Sequence, residues 1–349
     1  MEEKASMDAE VTRTARKQLF GFFEGGLAVN VLSATARLGI ADHLAERPHN
    51  EVELSDALGA ADPEIVVRFL RVAESMGLVR RSPDSGRFEE TPMLTLLRRE
   101  DGSCRNTVLA FTAPSYSRPA EMAHLAVLSG RSTTKQALGK DLWEHYADNL
   151  EEATWFAGAM HELTNTVADC VLAGYSFAGR DTVVDVGGSH GVFLSRILLS
   201  HSEAKGILFD RPEVVEQARR PLDDLGLTSR VRFIGGNFLR EVPDGGDLYV
   251  LKSVLCDWDD ENCTRILSCC HDAMGTDTPL VIVDWLRPDQ SDVTLDSIDF
   301  LQAVLVNGRV RTLSQYETLL HAADLRLNRV LRTATGSDMP ATVMEVFRR

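Results

Sequence analysis

Apolar residues recur at helical spacing near the start of the chain: Leu19, Phe22, Phe23, Leu27, Val31, Leu32, Ala36 and Leu38 make one long apolar surface between Gln18 and Leu44. Such a surface beside a small domain predicts packing on another chain. The polar residues 1–15 before it are predicted to fray. From 50 to 92 the pattern reads helix, turn, helix, hairpin. Glu51 to Leu58 is one helix, and Asp62-Pro63 opens the next, as N-cap and first-turn proline, running to about Met76. Gly77–Arg81 and Arg87–Glu90 are predicted as two strands around Pro83-Asp84-Ser85-Gly86. This is a winged-helix pattern.

Residues 105–173 read as all-helical, and from Asp181 onward short apolar strands alternate with helices. The strands are expected at 182–186, 206–209, 231–235, 248–253, 279–285, 327–334 and 341–348, and the helices at 191–201, 212–225, 259–274 and 312–323. That alternation predicts an α/β, Rossmann-like, mostly parallel sheet with helices on both faces, and a ligand outside the carboxyl ends of its strands. The expected division is an N-terminal helical, winged-helix domain over 1–104 and a helical linker with the α/β domain over 105–349.

The most telling stretch runs from Asp181 through Val183-Val184-Asp185-Val186 into Gly187-Gly188-Ser189-His190-Gly191. A β-branched strand enters a glycine-rich turn, and the next strand, Gly206-Ile207-Leu208-Phe209-Asp210, ends in a carboxylate. Glycines let backbone approach a ligand closely, and an acid at the second strand tip suits ribose hydroxyls. The spacing is D-x-G-G-x-x-G rather than the dinucleotide G-x-G-x-x-G. It points to S-adenosylmethionine (SAM) rather than NAD.

Composition narrows the partners. The 349 residues carry a net charge of −15 and include six cysteines. An acidic chain argues against nucleic acid, whose phosphates need clustered Lys and Arg. A winged helix serves either DNA binding or packing and dimerisation, and the charge favours the second. The cysteine spacing fits neither a disulfide framework nor a zinc site, so reduced cytoplasmic thiols and no metal are expected. No unbroken apolar run of membrane-spanning length stands out, so no membrane partner is expected.

The run Val183–Gly188, then Phe209-Asp210-Arg211-Pro212, then Gly236-Asn237-Phe238, then Leu251-Lys252-Ser253-Val254-Leu255-Cys256-Asp257-Trp258, resembles the SAM-dependent small-molecule O-methyltransferases. These include the plant caffeate and flavonoid enzymes and bacterial polyketide and antibiotic relatives. Gly39–Leu44 with the winged-helix stretch matches their dimerisation domain, and Phe156–Met160 their linker helix. The resemblance implies a homodimer acting on a small molecule, an aromatic or polyketide-like metabolite methylated on oxygen. It also implies SAM held by Gly187, Gly188, Gly191, Asp210, Asn237, Phe238 and Lys252, with Asn237 standing where the family usually has Asp.

The catalytic pattern departs from the family. Its base is a His in a Leu-His-Asp-Trp motif; here that position is Cys256. Two glutamates support that His in the family. One falls at Asp284 and the other at Val310. Cys256, Asp257 and Asp284 are therefore expected on the acceptor side, and Phe156, Met160, Trp258 and Asp299 around the substrate. A thiol with an ordinary pKa of about 8.5, raised further by an apolar site, is a poor general base. The acceptor is then already acidic, or a nucleophilic carbon or nitrogen, or served by another base such as His161 or His145. Alternatively the fold is used for chemistry without methyl transfer, such as hydroxylation, cyclisation or a pericyclic reaction.

Overall fold

The computed structural model describes residues 2–100, 102–290, 292–332 and 341–349, with side chains from residue 10 onward. The chain divides into two compact units, Met1–Ala113 and Pro114–Arg349. Sequence reading put this division at 104/105. The helix Arg105–Phe111 instead belongs to the first unit, where it packs on the long first helix.

That first helix is continuous over Glu2–Leu38, without the fraying expected of residues 1–15. Once nucleated, a run rich in Ala, Glu, Lys and Arg propagates helix toward the N-terminus. Leu19, Phe20, Phe22, Phe23 and Leu27 are exposed, Phe22 by 81%. By length and composition, Glu10–Leu38 is apolar enough to cross a bilayer, which corrects the expectation that no such stretch exists. Glu24 and Asn30 interrupt the apolar run and hide it from a reading of unbroken segments.

The helix Glu51–Leu58 starts with a capping box. The Asn50 side chain accepts from the Glu53 amide, and the Glu53 carboxylate accepts from the Asn50 amide. Pro63–Ser75 follows, N-capped by Asp62. Strands β1 (Val79–Arg81) and β2 (Phe88–Glu90) pair antiparallel as the wing. Ile40, Leu54, Leu70, Leu78, Phe88 and Leu94, all fully buried, form the core of this unit.

The second unit holds a seven-stranded sheet. Its strands are β3 (Thr182–Val186), β4 (Lys205–Asp210), β5 (Val231–Gly235), β6 (Leu248–Lys252), β7 (Leu280–Asp284), β8 (Leu325–Arg332) and β9 (Thr342–Arg348). The order is β5-β4-β3-β6-β7-β9-β8, parallel from β5 to β7, with β9 antiparallel to its neighbours. The last expected strand pair is present, although positions 333 and 334 lie outside the described residues. Separate apolar clusters cover the two faces of the sheet. Strand order reverses at β3, whose neighbours β4 and β6 lead away in opposite directions, and this opens a crevice at its carboxyl end.

Before the sheet, the long helix Leu150–Gly174 carries Phe156, Met160 and His161. The helix Val293–Val306 was not anticipated. Its sequence is apolar and β-branched without clear period, but Asp292 caps it by accepting from the Thr294 and Leu295 amides, and it ends at Asn307 in the left-handed region.

Candidate functional site

The glycine turn is shaped by contact as well as by dihedral angle. Gly187 (φ +72°) and Gly191 (φ +74°) take conformations that side chains resist. A β-carbon on Gly188 would lie 2.5 Å from Leu208 and 2.6 Å from the Asp185 carboxyl. The turn is pinned by Asp210 at the end of β4, which accepts from the Ser189 amide at 2.8 Å and the Arg211 amide at 2.7 Å.

Beneath the turn, Asp185 is buried on β3, and its Oδ2 has no hydrogen-bond partner. Burial, reinforced by Asp210 and opposed by Lys252, pushes its carboxyl up to about 7. An orphaned buried acceptor is costly unless a ligand donates to it. The cleft above is lined by Met160, His161, Thr164, Asp185, Gly187 and Lys252, among others. A buried acid lacking a donor, beside glycines with no room for a β-carbon, fits a compact cationic amino-acid group such as that of SAM.

Asn237 and Phe238 follow β5. The Asn237 side-chain oxygen accepts from the Leu239 amide at 2.9 Å, so it fixes its own turn. Phe238 packs edge-on against Trp258 with ring centroids 5.7 Å apart. Its ring edge reaches within 3.4 Å of where a β-carbon on Gly187 would stand.

The residues expected on the acceptor side come together after β6 and β7. Cys256 and Asp257 lie in a short 3-10 turn, Leu255–Asp257, and Asp284 ends β7. Asp284 is buried with both oxygens engaged: the Trp285 amide donates to Oδ1 at 2.8 Å and the Tyr316 hydroxyl to Oδ2 at 2.9 Å. The Cys256 thiol lies 3.7 Å from Asp257 Oδ1. Burial holds this thiol well above its ordinary range, with Asp284 and Asp257 adding to the effect and Lys252 opposing it. Asp257 is only half-buried. Gln302 donates to its Oδ1 at 3.0 Å, and burial together with the charge of Asp284 pushes it up to about 7. Burial also lowers Lys252, against the surrounding carboxylates.

This turn is held from below. Arg311, fully buried, donates to the Leu255 and Trp258 carbonyls at 2.8 Å each and to Asp260 at 2.7 Å. The Arg309 amide donates to the Cys256 carbonyl at 2.8 Å.

The substrate-side expectations divide. Met160 lines the cleft beside the glycine turn. Phe156 stacks on Tyr146 with ring centroids 4.9 Å apart, and the Tyr146 phenol feels the Asp257 charge. Trp258 lies against Phe238. Asp299 turns toward its own surroundings: it accepts from the Val310 amide at 2.7 Å and pairs with Arg287 at 3.7 Å. Of the alternative bases, His161 lines the cleft beside the glycine turn, while His145 sits 3.4 Å from the buried Glu152. Sequence reading gave no role to Asp185, Gln302, Arg311 or Tyr316. A lone carboxylate within the β-branched strand Thr182–Val186 was the available signal for Asp185. For Gln302 and Tyr316 there was none, since their partners are distant in sequence.

The model of the O-methyltransferase domain matches residues 122–326, and that of the O-methyltransferase dimerisation domain matches residues 20–99. The chain is 34% identical to the phenazine O-methyltransferase PhzM of Lysobacter antibioticus, covering 87% of this chain and 89% of that one. It is 32% identical to the 8-amino-8-demethylriboflavin N,N-dimethyltransferase of Streptomyces davaonensis, covering 89% and 90%. Among solved structures it resembles CalO1, a methyltransferase in calicheamicin biosynthesis in its S-adenosylhomocysteine-bound form, with TM-score 0.80, 29% identity and coverage of 96% and 98%.

Proposed function

Because the chain belongs to the O-methyltransferase family, as a SAM-dependent methyltransferase of the secondary-metabolite type, we propose that it methylates an oxygen of a small aromatic or polyketide-like metabolite without a histidine base. The observation that carries this reading is the adjacency of two sites on one sheet edge. The glycine turn with its unpartnered Asp185 lies at the end of β3, and the Cys256–Asp257 turn follows the next strand over, β6.

SAM is the cofactor, and it supplies an electrophilic methyl group on sulfur. In this reading Asp185 accepts from its ammonium, Asp210 from its ribose hydroxyls, and Gly187, Gly188 and Gly191 admit its close approach. Phe238 and Asn237 flank the adenine, and Lys252 balances the carboxylates between the two sites. Phe156, Met160 and Trp258 wall the acceptor, and Asp299 acts indirectly by holding the segment that ends at Arg311. Holding nucleophile and methyl donor in line is the main source of rate. The exposed aromatic face of the first helix, within the dimerisation-domain match, supports a homodimer in which that face is covered. N-methylation is the second reading, favoured by the likeness to an N,N-dimethyltransferase.

The test is isotope tracing. The protein is incubated with methyl-labelled SAM and an extract of cells that make it, and the label is followed by mass spectrometry. Label on an oxygen of a small molecule supports the proposal, label on nitrogen the second reading, and label remaining in SAM overturns both.

A further inference from the structure

Two carboxylates stand beside the Cys256 thiol, and they differ in what they have left to give. Asp284 is buried, with the Trp285 amide on one oxygen and the Tyr316 hydroxyl on the other. Asp257 is half-buried, and only its Oδ1 is engaged, by Gln302 at 3.0 Å and the Cys256 thiol at 3.7 Å. Its Oδ2 has no hydrogen-bond partner among the described residues. Gln302 comes from the helix Val293–Val306, which packs against the turn that carries Asp257. A side-chain amide there fixes the carboxylate plane and leaves one oxygen presented.

The charge around this oxygen is one-sided. Facing Asp257 are Asp284, Cys256, Lys252 and the phenols of Tyr116 and Tyr146. Lys252 is the only cation of that set. An anionic acceptor entering here meets two carboxylates, whereas a neutral hydrogen-bond donor meets an acceptor oxygen.

We propose that Asp257, clamped by Gln302, takes the proton of the methyl acceptor, and that the acceptor presents a neutral O–H or N–H rather than a carboxylate or a ready-made phenolate. The proposal rests on the methyl-transfer reading and names the base and acceptor class within it. The step balances. The nucleophilic oxygen or nitrogen bonds to the methyl carbon while the sulfur keeps the electron pair of the broken S–C bond. The O–H or N–H proton passes to Asp257 Oδ2 and from there to water. Asp257 is the catalytic residue and Gln302 a positioning residue, since it acts through Asp257.

Two measurements on the full chain test this without turnover, so they can fail independently of the isotope experiment. The first is a carboxyl titration by NMR with carbon-13 in the aspartate side chains. The expected result is a carboxyl titrating near neutral pH that disappears in Asp257→Asn, persists in Asp185→Asn and moves upward in Gln302→Met. Methionine keeps the bulk of glutamine and removes its donor, and losing a donor to the charged form raises an acid. A titration unchanged in Gln302→Met overturns the clamp. The second is equilibrium binding of 2-naphthol and 2-naphthoate, which share a ring system and differ in charge. Naphthol is expected to bind at least about tenfold more tightly, and naphthoate to gain at least about tenfold in Asp257→Asn, as one removed like charge allows at this range. Equal or tighter binding of naphthoate to the unaltered protein overturns the acceptor class.

Discussion

Gly308 approaches Cys256 so closely that a β-carbon at position 308 would stand 2.1 Å from the Cys256 carbonyl oxygen and 3.0 Å from the Asp257 α-carbon. Both neighbours are backbone, so no rotamer relieves the contact. Gly308→Ala must move the turn that presents Cys256 and Asp257, or strain its hydrogen bond to Arg309. The expected cost is about 1–3 kcal/mol of stability, as for other overpacked sites. Methyl transfer should fall by more than the fraction unfolded accounts for. Thermal unfolding and label transfer from SAM check this, and an unaltered midpoint with full activity would show that the turn tolerates the displacement.

Asp185 makes the stability of the cofactor-free protein depend on pH in a definite direction. Its carboxyl is pushed from the ordinary aspartate value of 3.8 up to about 7, chiefly by burial. Between those values the folded chain holds a proton that the unfolded chain has released, so folding stability is highest below that window. It is lost as pH rises through it, at up to about 1.4 kcal/mol per pH unit for this group. Asp257, pushed up to about 7 as well, contributes with the same sign. Asp185→Asn should flatten the slope by about half and weaken SAM binding. The check is thermal unfolding at pH 5.5 and pH 8, with and without S-adenosylhomocysteine. A variant with the same pH slope as the unaltered protein would remove Asp185 from this role.

Much of this site was legible in the chain, for physical reasons that also mark the limit. Gly187, Gly188, Gly191 and Asp210 are local features: a turn and a strand tip encode them within a few residues, and the structure gathers them at one crevice. The helices 191–201, 212–225, 259–274 and 312–323 were read to within a residue or two because caps and apolar period agree there. The helix Val293–Val306 was missed because β-branched and apolar residues blur its period, leaving only the Asp292 cap as a sign. The pairs Gln302–Asp257 and Tyr316–Asp284 join positions far apart in sequence, and no local rule reports them. Asp299 was expected beside substrate, yet its bonds to Val310 and Arg287 make it a brace for the following loop.

The first helix carries the prediction about assembly. Phe22 is exposed by 81% and Phe23 by 65%, with Leu19 and Leu27 beside them on the same helix. Burying one such aromatic contributes about 2–3 kcal/mol. Replacing both, as Phe22→Glu with Phe23→Glu, should weaken a homodimer by at least about a hundredfold, with the helix itself retained because glutamate is a good helix former. Analytical ultracentrifugation over a concentration series reads the change, with circular dichroism as the control. A double variant that stays as associated as the original chain would mean that the dimer uses another face.

The resemblance puts Cys256 at the position of the family's base, and its surroundings predict how little the thiol itself does. It is buried, and the Asp284 and Asp257 carboxylates favour its protonated form, so the thiol is expected to take no proton from an acceptor. Cys256→Ala should therefore leave methyl transfer within about tenfold, with a stability loss of about 1 kcal/mol for the small cavity. Asp257→Asn should lose about a hundredfold or more, the range typical of a general base. Restoring the family residue alone should not rescue a faster enzyme. In Cys256→His, Asp284 remains to accept from the ring, but Val310, a buried aliphatic residue, stands where the resemblance implies a second carboxylate. Label transfer from SAM, measured in all three variants at matched cofactor saturation, decides between the two groups. Abolished transfer in Cys256→Ala, with fold and SAM affinity intact, would make the thiol a participant and take the base away from Asp257.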